Sequence, residues 1–115
     1  MELILSTTPA AEIEAGALVV ICFEDETPPF LNDEARAALT AAREEGEFDA
    51  KPLSTMLWHR PAGLKAQRLL AVGGGPRAKF DTDQMRKIAG LAVRTLKPKG
   101  IKDLAFRVEG DLAAE

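Results

Sequence analysis

Seven consecutive apolar residues, Ala17-Leu-Val-Val-Ile-Cys-Phe23, constrain the fold more than any other feature of the chain. The run is rich in β-branched residues and shows no alternation with polar ones. That is the signature of a strand covered on both faces, as in parallel sheets, rather than one lying half in water. A strand buried on both sides needs a layer above and a layer below, and in an α/β chain those layers are helices. At 115 residues the chain is long enough to bury such a core without disulfides or metals, and it fits a single domain over residues 1–115.

The remaining elements follow from local patterning. Residues 3–6 read as a short first strand. After the central run, Asn32 is placed as an N-cap, with Asp33 and Glu34 in the first turn. Leu31, Ala35, Ala38, Leu39 and Ala42 recur at helical spacing, and Gly46 closes the helix. Residues 53–59 form a third strand, with Leu53, Thr55 and Leu57 on one side and Ser54, Met56 and Trp58 on the other. The connection that begins at Pro61 is shorter than the dozen or so residues of a parallel crossover, so the next strand, 68–72, is not joined to the third in parallel. Gly73, Gly74, Gly75 and Pro76 read as the tight exit from that strand. A second helix opens on Asp81 as N-cap with Gln84 at N3, and Phe80 and Met85 are spaced as a hydrophobic staple. Met85, Ile88, Ala89, Ala92 and Leu96 form its buried stripe, and Pro98 and Gly100 end it. A last strand, 103–108, alternates Leu104, Phe106 and Val108 with Ala105 and Arg107, which predicts one more exposed face. The polar tail from residue 109 reads as the start of a further helix. The expected fold is α/β, with a mixed, mainly parallel five-stranded sheet flanked by helices.

Net charge is −3, but the charges are segregated. Residues 1–59 carry twelve acids and three bases, whereas residues 60–102 carry eleven bases and only Asp81 and Asp83 as acids. Such asymmetry reads either as two solvated faces that attract each other or as an electrostatic footprint for an acidic partner such as nucleic acid. The second helix places Arg86, Lys87, Arg94 and Lys97 on its polar side, without interleaved aromatics for base stacking. No apolar run reaches the roughly 18–20 residues of a membrane span, and no basic leader precedes an apolar stretch at the N-terminus. With the lone Cys22, these features point to the cytoplasm and to no membrane partner.

Few residues qualify for chemistry. The turn Gly73-Gly74-Gly75 beside Arg77 is a weak candidate anion site, because glycine-rich strand exits can present free amides to a phosphate. It matches neither familiar phosphate-loop spacing, and Pro76 removes one donor. His59 is the single histidine; together with one cysteine it falls short of a structural zinc set. Cys22 lies within the apolar strand and reads as inert packing. Glu24, Asp25 and Glu26 follow that strand as a solvated loop, since consecutive carboxylates rarely converge on one cation. Trp58 and Leu91, the latter off the helical core stripe, are candidates for an apolar patch covered by a partner. No catalytic, metal-binding or cofactor-binding residue is assigned within the chain.

Taken in succession, Gly16-Ala-Leu-Val-Val-Ile-Cys-Phe-Glu24, Glu45-Gly-Glu-Phe-Asp-Ala-Lys51, Arg68-Leu-Leu-Ala-Val-Gly-Gly-Gly-Pro-Arg77 and the stretch from Phe80 to Leu96 resemble the N-terminal domain of the M17 leucyl aminopeptidases. The chain departs from the resemblance at Gly-Gly-Gly-Pro-Arg, where the family more typically reads Gly-Leu-Gly-Lys. The resemblance implies a macro-domain-like three-layer fold and a separate C-terminal catalytic domain, absent from this chain. It also implies two divalent metals, zinc or manganese, in that domain, a cytosolic homohexamer, and hydrolysis of N-terminal residues from peptides. None of the metal-binding motifs of the family maps onto a residue here, so the chain by itself is expected not to be an enzyme. A macro-like module for ADP-ribose or another nucleotide, and nucleic-acid binding through the basic half, stand as the alternatives.

Overall fold

A computed structural model describes residues 2–6, 15–24, 33–61, 63–101 and 103–107. Its strands are β1 (Glu2–Ser6), β2 (Ala17–Phe23), β3 (Thr55–His59), β4 (Arg68–Gly75) and β5 (Asp103–Arg107), and its helices α1 (Asp33–Glu44) and α2 (Thr82–Leu96). The strands form one mixed sheet in the order β1-β5-β2-β4-β3. β1 with β5, β5 with β2 and β2 with β4 are parallel, and only β3 with β4 is antiparallel, as the short link between them requires.

The apolar run of β2 sits in the middle of the sheet, and its side chains alternate between two cores. Leu18, Val20 and Cys22 pack with Leu69 and Ala71 of β4 and with Ala35, Leu39 and Ala42 of α1. Val19, Ile21 and Phe23 pack on the other face with Leu70 and Val72 and with Ile88, Ala92 and Leu96 of α2. One helix thus covers each face, which is the arrangement a run without polar residues demands. Among the described residues no polar or charged residue is fully buried.

Both helix ends behave as their local sequence dictates. Asp81 is extended and its carboxylate accepts a hydrogen bond from the Gln84 amide at 2.9 Å, capping α2. Gly100 adopts a left-handed conformation after the turn that contains Pro98. Gly46 does the same after α1, at φ 76°, and returns the chain so that Phe48 enters the α1-side core. Asn32 and Leu31 lie outside the described residues, as do Val108 and the tail from 109.

Three expectations are corrected. The third strand begins at Thr55, not at 53, because Leu53 is left-handed at φ 66° and cannot continue an extended ladder. The fourth strand does not end at Val72 but runs through Gly75, so the glycines belong to the sheet and are not its exit turn. The last strand does not offer an exposed face at Ala105: β5 is inserted between β1 and β2, and Leu104, Ala105 and Phe106 are all buried. Position in the sheet, which local alternation does not report, decides that burial.

Candidate functional site

The carboxyl ends of β2 and β4 lie side by side, where α/β sheets commonly place ligands. Register between them slips after Cys22: Cys22 faces Gly73 and Phe23 faces Gly75, leaving Gly74 as the residue of a bulge. The glycines serve a close backbone approach. The segment from Ala50 to Ser54 crosses directly over them, with Gly73 donating to the Ser54 carbonyl at 2.7 Å, Gly75 donating to the Ala50 carbonyl at 3.0 Å, and Leu53 donating to the Gly73 carbonyl at 2.9 Å. A Cβ on Gly73 would collide with the Lys51 carbonyl oxygen and the Ser54 hydroxyl. On Gly74 it would lie 2.9 Å from the Phe23 ring, and on Gly75, itself at φ 71°, 2.8 Å from Pro52. Two of the three amides named as candidate anion ligands are therefore already engaged within the protein. Ala50 and Leu53 both take left-handed conformations to make this crossing, and Leu53 is left 42% exposed.

Arg77 leaves this strand end through a short 3₁₀ turn, Arg77–Lys79. Its guanidinium carbon lies 5.1 Å from the centroid of the Phe23 ring, and Phe80 meets the same ring edge-on at 5.2 Å. Phe23 is thereby held by a cation on one contact and an aromatic edge on another. Arg43 reaches from α1 to the end of the same strand, donating to the Phe23 carbonyl at 3.2 Å and the Glu24 carbonyl at 2.7 Å. Glu24 is exposed, and Asp25 and Glu26 fall outside the described residues. The cluster fastens strand ends together; it contains no nucleophile next to a base.

The other candidates are dispersed. The Nδ1 atom of His59 accepts a hydrogen bond from Arg68 Nε at 3.1 Å in an exposed cross-strand pair. Cys22 is buried, and loss of solvation pushes its thiol from 9.0 up to about 12, a rise only partly opposed by the positive charge of Arg43. Such a thiol is protonated and unreactive at neutral pH. Trp58 packs on the α1-side core and Leu91 on the α2-side core, so the sheet separates them and they do not share one patch.

A feature that the sequence does not signal lies at the opposite end of the sheet. An open cleft of about 540 Å³ is lined by Ala15, Gly16, Lys65, Gln67 and Asp103. Asp103 spends one carboxylate oxygen on the Gly16 amide at 3.1 Å, and the Gln67 amide donates to the Ala15 carbonyl at 3.1 Å. These residues come from three distant segments, and nothing in their local sequence connects them. Among the described residues Lys65 is the other charged group of the lining, and it supplies no acid–base pair with a nucleophile.

No three His, Cys, Asp or Glu side chains among the described residues are grouped to hold a metal ion. The donor set does not fit a two-metal centre: the imidazole is on an edge strand, the thiol is in the core, and the described carboxylates are scattered over the surface. No helix of the described residues is long and apolar enough to cross a membrane.

Geometry thus defines a mixed α/β domain with a helix on each face and no assembled catalytic constellation among the described residues. The sequence model of the cytosol aminopeptidase family, N-terminal domain, matches residues 19–114. The chain is also similar to a probable cytosol aminopeptidase of Solibacter usitatus (strain Ellin6076), at 34% identity over 98% of this chain and 22% of that protein. Similar proteins of the same description occur in Koribacter versatilis (strain Ellin345), at 37% identity over 92% of the chain and 22% of the relative, and in Acidobacterium capsulatum, at 33% over 94% and 24%. The chain belongs to the cytosol aminopeptidase family, in which it corresponds to the N-terminal domain. It spans about a fifth of the length of these relatives (22–24%).

Proposed function

We propose that this chain is a non-catalytic N-terminal domain of a leucyl aminopeptidase, serving assembly or substrate access for a separate catalytic domain. In this reading the parent enzyme is a cytoplasmic M17 metallopeptidase. It removes N-terminal residues from peptides with two divalent metals, zinc or manganese, held in its C-terminal domain, and it works as a homohexamer. The three-layer arrangement is read as macro-domain-like. The observation that carries the proposal is the family match over residues 19–114, set beside donors among the described residues that do not fit a two-metal centre. Hydrolysis by paired metals needs several convergent carboxylate, imidazole or lysine ligands, and no such group is assembled among the described residues.

The test is direct. The 115-residue chain, incubated with manganese or zinc and a leucyl-anilide substrate, is expected to give no turnover above a blank; turnover abolished by a chelator would overturn the proposal. The alternative of an ADP-ribose or other nucleotide site draws little support from the glycine run, because the Gly73 and Gly75 amides are engaged by Ser54 and Ala50. Calorimetry with millimolar ADP-ribose is expected to show no binding heat.

A further inference from the structure

One edge of the sheet is formed by β3, and no described strand pairs with its outer side. The direction of its hydrogen bonds follows from the contacts at its two ends. The Arg60 amide donates to the Gln67 carbonyl at 2.8 Å, and the Gly73 amide donates to the Ser54 carbonyl at 2.7 Å. In the register between them, from Thr55 opposite Val72 to His59 opposite Arg68, alternate pairs exchange backbone hydrogen bonds. Met56 and Trp58 therefore turn their amides and carbonyls to β4, whereas Thr55, Leu57 and His59 turn theirs outward.

Native sheet edges are usually blunted by a charged side chain, a proline or a bulge. β3 has none of these: it reads Thr-Met-Leu-Trp-His and pairs with β4 without a register shift. Met56 and Trp58 are half-buried against the α1-side core and Leu57 against the α2-side core, while Thr55 and His59 are exposed. Left-handed residues bracket the strand, Leu53 at φ 66° and Arg60 at φ 53°, so the chain leaves the extended line on either side. The open edge is thus five residues long, roughly 17 Å. A polar contact marks one end of it. His59 Nδ1 accepts from Arg68, which leaves the ring proton on Nε2 as a donor of an exposed side chain.

We infer that the outer edge of β3 binds a short extended peptide, which joins the five-stranded sheet as an added antiparallel strand. Three outward amides and three outward carbonyls at two-residue spacing are matched by another extended backbone and by no compact ligand. Antiparallel pairing is the more stable arrangement per residue. It sets the first residue of the peptide opposite His59, where the Nε2 donor suits a carboxylate. The second to fourth residues then lie beside Trp58, Leu57 and Met56, where apolar side chains cover half-buried ones. The partner is a peptide segment with an acidic residue followed by three apolar ones. The inference stands without the aminopeptidase reading, since it uses only the backbone and side chains of this edge.

Trp58 is the single tryptophan of the chain, so its emission reports directly on this edge. The test titrates a blocked peptide, Glu-Val-Leu-Val-Thr, into the 115-residue chain up to millimolar concentration and follows amide exchange by NMR. A saturable change in Trp58 emission is expected, with exchange at the Leu57 amide slowed about tenfold or more. Methylating the peptide's leucine nitrogen, which faces the Leu57 carbonyl, is expected to weaken binding about tenfold. Methylating the nitrogen of its second valine, which faces away, is expected to change binding by less than about twofold. Thr55→Pro removes an outward donor at the first residue of the strand, where proline is tolerated, and is expected to weaken binding about tenfold with the fold intact by circular dichroism. No emission change and no protection at millimolar peptide would overturn the inference, as would equal losses from the two methylations. So would slow exchange at Leu57 without peptide, either in the concentrated chain or within a longer protein that carries it, because a second copy or a further segment would then already cover the edge.

Discussion

Gly73 gives its amide to the Ser54 carbonyl across 2.7 Å, and the two backbones run too close for any side chain at position 73. A methyl group there meets the Lys51 carbonyl oxygen and the short Ser54 hydroxyl, which itself donates to Lys51 at 2.7 Å. Neither obstacle is the free end of a flexible chain. Overpacking of this kind costs about 1–3 kcal/mol, and Gly73→Ala is expected at the upper end of that range. A urea midpoint that falls with an unchanged slope is the corresponding readout. Gly90→Ala is the counter-case. Its new Cβ would touch only the movable end of Arg94, and alanine favours a helix interior by about 1 kcal/mol over glycine, so stability is expected to rise.

At the start of α2 the stabilising contact is a single side-chain acceptor. Asp81 caps the Gln84 amide at 2.9 Å, and its charge faces the positive end of the helix. Asp81→Ala is expected to lower stability by about 1 kcal/mol, whereas Asp81→Asn, which keeps the acceptor, loses only a fraction of that. Equal losses in the two variants, measured by thermal denaturation, would show that charge and not the hydrogen bond dominates the cap.

Arg60 is exposed and left-handed at φ 53°, with its amide donating to Gln67 at 2.8 Å as the chain leaves β3. A side chain in that region is strained by about 1–2 kcal/mol, while glycine adds an unfolded-state entropy penalty of about 0.5–1 kcal/mol. The first effect is the larger. Arg60→Gly is therefore expected to stabilise by about 0.5 kcal/mol, visible as a rise of a few degrees in Tm. A fall in Tm would mean that the arginine makes a contact that outweighs its strain.

What was legible in the sequence is what has a local cause. The start of α2 follows from Asp81, Gln84 and the spacing of Met85, Ile88, Ala92 and Leu96, all within a few turns. The seven apolar residues of β2 announce a strand covered on both faces, and the structure provides a helix for each. The glycine run could be seen but not explained, because the reason for it is the Ala50–Ser54 crossing some twenty residues earlier in the chain. The same holds for Ala105, whose burial depends on β5 being inserted beside β2. Trp58 and Leu91 were identified as partly apolar surface, but the faces they occupy depend on register and helix placement, which put the sheet between them.

Cys22 provides the pH-dependent test. In the folded chain burial holds its proton up to about 12, whereas an exposed thiol in the unfolded chain releases it near 9.0. Below the lower value both states are protonated and the residue adds no pH dependence. Between the two the folded state binds the extra proton, so folding loses ground as pH rises, by at most about tenfold per unit in the equilibrium constant. The loss belongs to this thiol alone, so the stability difference between the native sequence and Cys22→Ala is expected to be constant up to pH 8.5 or so. Above that it is expected to shrink as pH approaches 11. Alanine leaves a small cavity in the α1-side core, which sets the size of the constant difference but not its slope. In the native state at pH 8 a thiol reagent should modify the chain only as fast as it opens. Immediate modification would mean that Cys22 is neither buried nor raised, and would remove the basis of the pH prediction.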